Sequence, residues 1–553
     1  MFGHLPIRKF FYAASILSVL GIEGLGYFYP LARLAYVATL PVIALGIRDV
    51  LQTRHAIQRN FPVIGHLRFL MESIRPEINQ YFVESDMDGT PFNRVKRSNI
   101  YQRAKKELNT TPFGTKKNVY ETGYEWINHS LSPQTPSAEV TRIQVGGPDC
   151  KQPYWASLFN ISAMSYGSLS RSAILALNKG AKAGGFAHNT GEGGLSPYHL
   201  EGGGDVIWQI GTGYFCCRNI DGTFSEELFA QKSNIETVKM IEIKLSQGAK
   251  PGHGGILPKE KITPEIAEIR LVSMDEDVVS PPSHSAFSTP RGLVEFIARL
   301  RELSNGKPIG IKLCLGETYE FLAICKAMVE SKTYPDFITI DGGEGGTGAA
   351  PLEFSDSVGT PLNDALVFIH NALTGFAIRD KIRIIVSGKI TTGFDMISKI
   401  AMGADMCNSA RGMMFALGCI QALQCHANTC PTGIATQDPE LIKGLDVEHK
   451  WKRVQNFHAA TLHSFLELLG AAGFTNPGEL KPHHIQRRIS SSEVRNLAQL
   501  YPSLEWGALL QNQIPAAFSE PMNRACPSSF SSITETKKTF ILNTNLKLIP
   551  DTH

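Results

Sequence analysis

Three cysteines, Cys419, Cys425 and Cys430, fall within residues 418–433, among polar residues and next to Pro431. Thiolates are soft donors suited to iron-sulfur clusters or zinc, and short, unequal spacings let one loop close around an inorganic centre. No fourth cysteine lies nearby, which points to a cluster lacking one iron corner, a 3Fe-4S centre, rather than to the usual four-cysteine kind. Two other readings stand beside it. One is zinc with His426 as fourth ligand, which is strained because His426 directly follows Cys425. The other is three thiols buried as small apolar groups. The remaining cysteines, Cys150, Cys216, Cys217, Cys314, Cys325, Cys407 and Cys526, are scattered and suggest no secreted disulfide framework.

Glycines gather at 202–204, at 254–255 and within 342–348, a pattern expected where backbone approaches a ligand closely or where loops need freedom. Such loops need a frame. From Trp155 onward, short apolar runs alternate with helical patterns, and the runs repeatedly end in Gly, Ser, Thr or a charged residue. Eight strands are expected, over 158–163, 185–189, 206–210, 240–244, 309–313, 337–340, 382–386 and 404–408. Parallel strands joined by crossovers, with ligand loops at their carboxyl ends, predict an α/β fold, a (β/α)8 TIM barrel. An open doubly wound sheet is the competing arrangement.

The formal net charge of +3, with 19% charged residues, gives no electrostatic signal for nucleic acid. At the N-terminus, residues 10–29 and 31–47 are two largely apolar runs separated by Pro30, each near the ~17–20 residues that span a bilayer. Arg8 and Lys9 precede them and Arg48, Arg54 and Arg59 follow. That places both flanks in the cytoplasm and predicts a membrane-anchored chain with its catalytic body there, at a bacterial inner membrane. Glu23 and Arg33 lie inside the runs, each costing roughly 2.5–3.5 kcal/mol at mid-membrane unless paired, for instance with one another. A soluble helical hairpin is the other reading. The expected order is a membrane hairpin at 1–50, a helical or irregular extension at 51–152, the barrel at 153–475 with its cysteine loop at 418–437, and a helical extension and tail at 476–553.

Read through to Gln437, the cysteine loop resembles the cluster loop in the FMN-binding domain of glutamate synthases. Residues 163–170, 190–194, 247–252 and 345–349 occur in that family's order, and the similarity runs from about Pro153 to Gly473, closest to its short stand-alone relatives. The resemblance implies that Ser387, Gly388, Lys389, Ala410, Arg411 and Gly412 hold the FMN phosphate, a role that glycine turns and a nearby cation suit. It also sets Met164, Ser165, Tyr166 and Gln209 against the flavin ring. Lys312 then stands near the ring's pyrimidine edge, stabilising the anionic reduced flavin, or else pairs with a neighbour such as Glu344.

The family's reaction condenses a 2-oxo acid, here 2-oxoglutarate first, with ammonia or a small amine. Reduced FMN gives hydride to the imine, and a carrier such as ferredoxin supplies electrons through the cluster. Lys250, Lys312 and Arg411 are the cations available for substrate carboxylates, and Glu344 and Glu192 could handle protons. One departure stands out: His253 occupies 250–255 where the large enzymes carry a glutamate, and an imidazole can serve as acid, base or neutral donor. Phe2 follows Met1 where glutamine-dependent synthases begin with cysteine, and no strand is followed by Gly-x-Gly-x-x-Gly for a nicotinamide. Two rival functions remain: a barrel flavoenzyme oxidising a 2-hydroxy acid through His253, and a membrane-bound relay of electrons without a small substrate.

Overall fold

A computed structural model describes residues 7–107, 110–511 and 514–532. Met1, Phe2 and the tail beyond 532 lie outside them. The chain divides into two compact units, Met1–Val95 and Lys96–His553.

The larger unit holds a closed barrel of eight parallel strands. They are β1 (Phe159–Ile161), β2 (His188–Asn189), β3 (Val206–Ile210), β4 (Val238–Lys244), β5 (Ile309–Leu313), β6 (Phe337–Asp341), β7 (Arg383–Ser387) and β8 (Met406–Ser409). Isoleucine and valine dominate them because a barrel strand is covered on both faces, by helices outside and packed side chains inside. Ile311 pairs with Ile243 on one side and Ile338 on the other, and all three are fully buried. The barrel closes where Phe159 of β1 pairs with Cys407 of β8.

Hydroxyl and carboxylate caps start the outer helices. Ser170 accepts from the amide of Ala173 to begin Arg171–Gly184, and Thr392 with Asp395 forms a capping box for Gly393–Ala401. Asp446 opens the longest helix, Val447–Ala471, which packs on Arg171–Gly184 so closely that a Cβ on Gly180 would lie 2.8 Å from Val454. Beyond the barrel, Glu125–Ile127, Ile485–Arg488 and Val494–Asn496 form a small antiparallel sheet, and Arg142–Val145 pairs with Tyr154–Ser157. The region 51–152, read as helical or irregular, thus contributes two strands, too short for their alternation to show in sequence.

In the smaller unit, helices Ile7–Phe28 and Tyr36–Leu51 are joined by a 3-10 turn, Pro30–Ala35. Segments Ile7–Phe28 and Pro30–Leu51 are each 22 residues, long and apolar enough to cross a membrane. Glu23 and Arg33 do face each other, 3.1 Å apart, and Gly46 leaves room for the ring of Phe11 where the helices meet. Asp49, buried at the end of the second helix, accepts from the Val63 amide at 2.9 Å and pairs with His66 at 2.9 Å.

Buried histidines of the larger unit contribute to its acid stability. Burial pushes His199 and His284 down to about 4 and His458 down to about 3. In the unfolded chain each takes up a proton near ~6.5, so that state binds more protons below this value, and stability falls as pH drops from ~6.5 toward the folded values. The melting temperature therefore decreases between about pH 7 and pH 5. His458→Phe flattens that slope, its ring keeping the stack on Phe186 now seen at 3.8 Å. A wild-type melting temperature independent of pH over this range would show that these imidazoles titrate normally.

Candidate active site at the carboxyl end of the barrel

Charged residues inside otherwise apolar strands point into the lumen in two tiers. In the lower tier, Glu242 of β4 is completely buried and accepts hydrogen bonds from Asn189 Nδ2 at 2.8 Å, Gln209 Nε2 at 2.5 Å and Thr339 Oγ1 at 2.6 Å. In the upper tier, Lys312 of β5 lies 3.4 Å from Asp341 of β6, and Lys244 of β4 lies 2.7 Å from Glu192. Register sets Lys312 beside Lys244, and Asp341 lies two residues beyond Thr339, the partner of Lys312 on β6. Asp341 also accepts from the Gly248 amide at 3.0 Å, tying the loop after β4 to β6.

Within this cluster, neighbouring charges oppose the effect of burial. Burial favours the neutral form of Glu192, but Lys244 and Lys250 outweigh it and hold the carboxyl below its ordinary range. Burial likewise opposes the charge on Lys312, and the carboxylates of Asp341 and Glu242 raise it above the usual lysine value. Lys250 has less support: burial brings it down to about 8, with Glu192 only partly compensating. Burial also lowers the pKa of Lys244, with Glu192 opposing that shift.

The loops over the lumen pack through their glycines. A Cβ on Gly191 would come 3.0 Å from the Ser165 amide, so residues 190–194 rest directly on Met164, Ser165 and Tyr166 after β1. Met164 and Tyr166 are buried, the Ser165 hydroxyl bonds that of Ser168 at 3.0 Å, and the Tyr166 hydroxyl donates to Glu265, which together with burial raises its pKa. Gly255 closes on Glu192, bringing the loop that contains His253 over the upper tier. His253 itself donates from Nδ1 to the Gly254 carbonyl at 2.9 Å and sets its ring edge-on to Phe354.

At the ends of β7 and β8, the Ser387 hydroxyl bonds Ser162 at 3.2 Å, and Gly388 and Lys389 follow, Lys389 with φ of 53°. Ala410 precedes, and Arg411 and Gly412 begin, helix Arg411–Leu417. Arg411 donates to the Glu344 carbonyl at 2.8 Å and fills space that only Gly346 leaves open. Glu344 does not pair with Lys312; its carboxylate takes the Leu362 amide at 3.0 Å, and Asp341 is the lysine's partner. Burial first, then the neighbouring Arg411, lowers the pKa of Lys389.

The cysteine loop docks on the loop after β1. Ser170 donates to Gly433 O at 2.7 Å, and Gln437 Nε2 donates to the carbonyls of Gly167 and Leu169 at 3.0 and 2.9 Å. Burial pushes Cys419 up to about 12, with Cys425 and Cys430 adding to the rise, so the three sulfurs feel one another. Burial acts against the Cys430 thiolate too, but the Thr432 hydroxyl and the amides of Ala435, Thr432 and Ile434 lower its pKa. Among the described residues, no three His, Cys, Asp or Glu side chains converge as a closed ligand set.

Lys261 holds this loop in place. Its buried ammonium donates to Ser168 O at 3.1 Å, Cys425 O at 2.6 Å and Ala435 O at 2.9 Å. Lys261→Met strands three carbonyls, each costing about 1–3 kcal/mol when buried without a donor. Faster hydrogen exchange through residues 425–437, with little change in the barrel strands, is the expected result; unchanged exchange would mean the lysine is incidental.

Lys244, Glu242, Asp341 and Lys261 were not singled out from the sequence, although Glu242 and Lys244 break an apolar strand and so carried a signal. The fold and these loops define a (β/α)8-barrel protein whose carboxyl-end face is built from buried, paired charges. Residues 134–475 match the conserved region in glutamate synthase. The chain is 38% identical over 508 residues to the glutamate synthase large subunit-like protein YerD of Bacillus subtilis, covering 84% of this chain and 96% of that one. The chain belongs to the glutamate synthase family. It is also 37% identical over 322 residues to the archaeal glutamate synthase (NADPH) of Methanocaldococcus jannaschii, covering 58% of this chain and only 60% of that protein's length. Among solved structures, a mandelate oxidase variant with (S)-mandelic acid aligns at a TM-score of 0.41 and 14% identity, over 78% of this chain and 97% of that one.

Proposed function

We propose that the chain is an FMN-dependent oxidoreductase that reductively aminates a 2-oxo acid, 2-oxoglutarate first, with ammonia or a small amine. Electrons come from a carrier such as ferredoxin through a 3Fe-4S cluster held by Cys419, Cys425 and Cys430. The observation that carries this reading is the upper tier of paired charges, Lys244 with Glu192 and Lys312 with Asp341, at the carboxyl end of a barrel of this family.

The residues present fit a flavin phosphate. Lys389 and Arg411 stand close enough to depress the lysine's proton affinity, and an anion between them relieves that repulsion. Ser387, Gly388, Ala410 and Gly412 would complete the phosphate site, with Met164, Ser165, Tyr166 and Gln209 along the ring. FMN, when bound, supplies the electron pair that reduces an imine carbon. Around it, Lys312 provides a fixed positive charge, and Gln209 is aimed by its bond to Glu242. Lys250 binds and orients a substrate carboxylate. Glu192, Glu344 and His253 are the groups placed to hold or move a proton, and the loops at 190–194 and 250–255 exclude water. The thiol-rich loop suits iron and sulfide by donor chemistry, and the amides around Cys430 favour its thiolate.

The test is anaerobic. Reduced protein is mixed with 2-oxoglutarate and ammonia, and flavin absorbance returns as glutamate forms. A flavin that stays reduced would instead support the relay reading, and oxidation of 2-hydroxy acids would support the other.

Helices Ile7–Phe28 and Tyr36–Leu51 anchor the chain in a membrane, with the catalytic body in the cytoplasm. In support, the 22 residues of Ile7–Phe28 span ~33 Å as helix against a ~30 Å hydrocarbon core, and the apolar segment Pro30–Leu51 is also 22 residues long. Large apolar side chains such as Leu17, Leu31 and Val37 point outward, and the Glu23–Arg33 pair offsets its own burial in lipid. Release of the protein from membranes by alkaline carbonate would rule this out.

A further inference from the structure

At the opposite end of the barrel from the proposed chemistry lies a cavity of about 540 Å³, between the amino ends of β1, β7 and β8 and residues 476–503. Its size is that of a site for a small organic molecule. Much of its wall is apolar, including Ile143, Leu158, Val367, Met402, Leu480 and Leu497. Four cations line it, Arg142, Arg379, Arg383 and Lys481, against a single carboxylate, Asp405. His370 adds no charge there, since burial and then Arg379 bring it down to about 4.

The arginines are fixed in place, mostly by backbone carbonyls rather than by acids. Arg142 donates to Trp155 O at 3.1 Å and to Gly185 O at 2.5 Å; Arg379 donates to Ile382 O and Gly403 O, both at 2.8 Å. Arg383 Nε donates to Gln144 O at 3.0 Å. Asp405 is bonded by Arg379 at 2.7 Å, while Arg383 stands off at 3.7 Å. One carboxylate thus meets two guanidiniums, and among the described residues no acid is bound to Arg142 or to Lys481, whose ammonium donates to Gly478 O at 3.1 Å. Guanidiniums already held by the backbone lose little freedom when an anion arrives, which favours binding.

We propose that this cavity binds a small organic anion, a phosphate or carboxylate head on an apolar body. The head meets Arg383 and Lys481, and the body lies on Leu158, Met402, Leu480 and Leu497. The site is separate from the one proposed for catalysis: Arg383 and Ser387 are the two ends of β7, about 13 Å apart at strand spacing.

The test uses the full-length protein with its cofactors, in calorimetry against two probes, adenosine monophosphate for the phosphate head and 4-phenylbutyrate for the carboxylate. At least one binds with Kd below about 1 mM, and Lys481→Glu and Arg383→Gln each weaken it about tenfold or more. Saturating 2-oxoglutarate leaves that binding unchanged. Arg383 also braces Gln144, so if Arg383→Gln fails to fold, the exposed Lys481→Glu carries the result. Whichever probe binds identifies the head group. The proposal is overturned if neither binds at about 10 mM, if Lys481→Glu binds as tightly as wild type, or if 2-oxoglutarate displaces the probe. None of these readouts depends on turnover, so failure here leaves the catalytic reading standing.

Discussion

Lys312→Met lowers the free energy of unfolding by about 3–5 kcal/mol, the usual effect of removing one partner from a buried ion pair. Lys312 and Asp341 are both nearly inaccessible, and once the ammonium is gone Asp341 still accepts from the Gly248 amide. The carboxylate must then stay charged with its nearest counter-ion gone, Lys244 and Arg411 being the remaining cations that it feels, or take up a proton in the folded state. The double variant Lys312→Met with Asp341→Leu recovers most of the loss in urea denaturation, because no isolated charge remains. Equal destabilisation by the single and double variants would show that the two residues do not act as a unit. Under the proposed function, both variants also lose bound flavin, since the positive charge beside the ring is gone in each; flavin absorbance per chain reads this separately from stability.

Glu242→Leu has a similar expected cost by another route. Its carboxylate collects the Asn189 amide, the Gln209 amide and the Thr339 hydroxyl inside the barrel, and leucine would leave all three without an acceptor. At about 1–3 kcal/mol for each stranded donor, the loss exceeds what most single substitutions produce. Glu242→Gln keeps one oxygen and loses less, but it removes negative charge that helps sustain Lys312. Calorimetric melting ranks the three proteins as wild type, then Gln, then Leu; a Leu variant as stable as wild type would mean that water or rearranged partners replace the carboxylate.

The barrel was legible because buried parallel strands are written as short runs of isoleucine and valine, and all eight expected runs overlap an observed strand. Their edges were less so. Strand β2 was expected from Gly185 but begins at His188, because Gly185 adopts φ of 64° to cap helix Arg171–Gly184 and cannot also be extended. The glycine and cysteine motifs showed where loops would matter. The lumen was harder, because lysine and glutamate in a strand say nothing about which neighbour stands at the same height. That follows from strand register, which fixes Lys244 beside Lys312, and from the fold of β6, which brings Asp341 rather than Glu344 to the lysine. Lys261 is far in sequence from every carbonyl it binds, so its role follows from tertiary structure alone.

The seam between β1 and β8 has a consequence for biogenesis. On the ribosome, Phe159 emerges long before Cys407, its partner across the closing edge, and the helix Val447–Ala471 that covers the neighbouring Arg171–Gly184 is made later still. At ~5–20 residues per second, the first strand waits roughly ten seconds or more with one edge bare. Nascent chains of this protein are therefore most exposed to chaperones and to mispairing until the final barrel strand has left the exit tunnel.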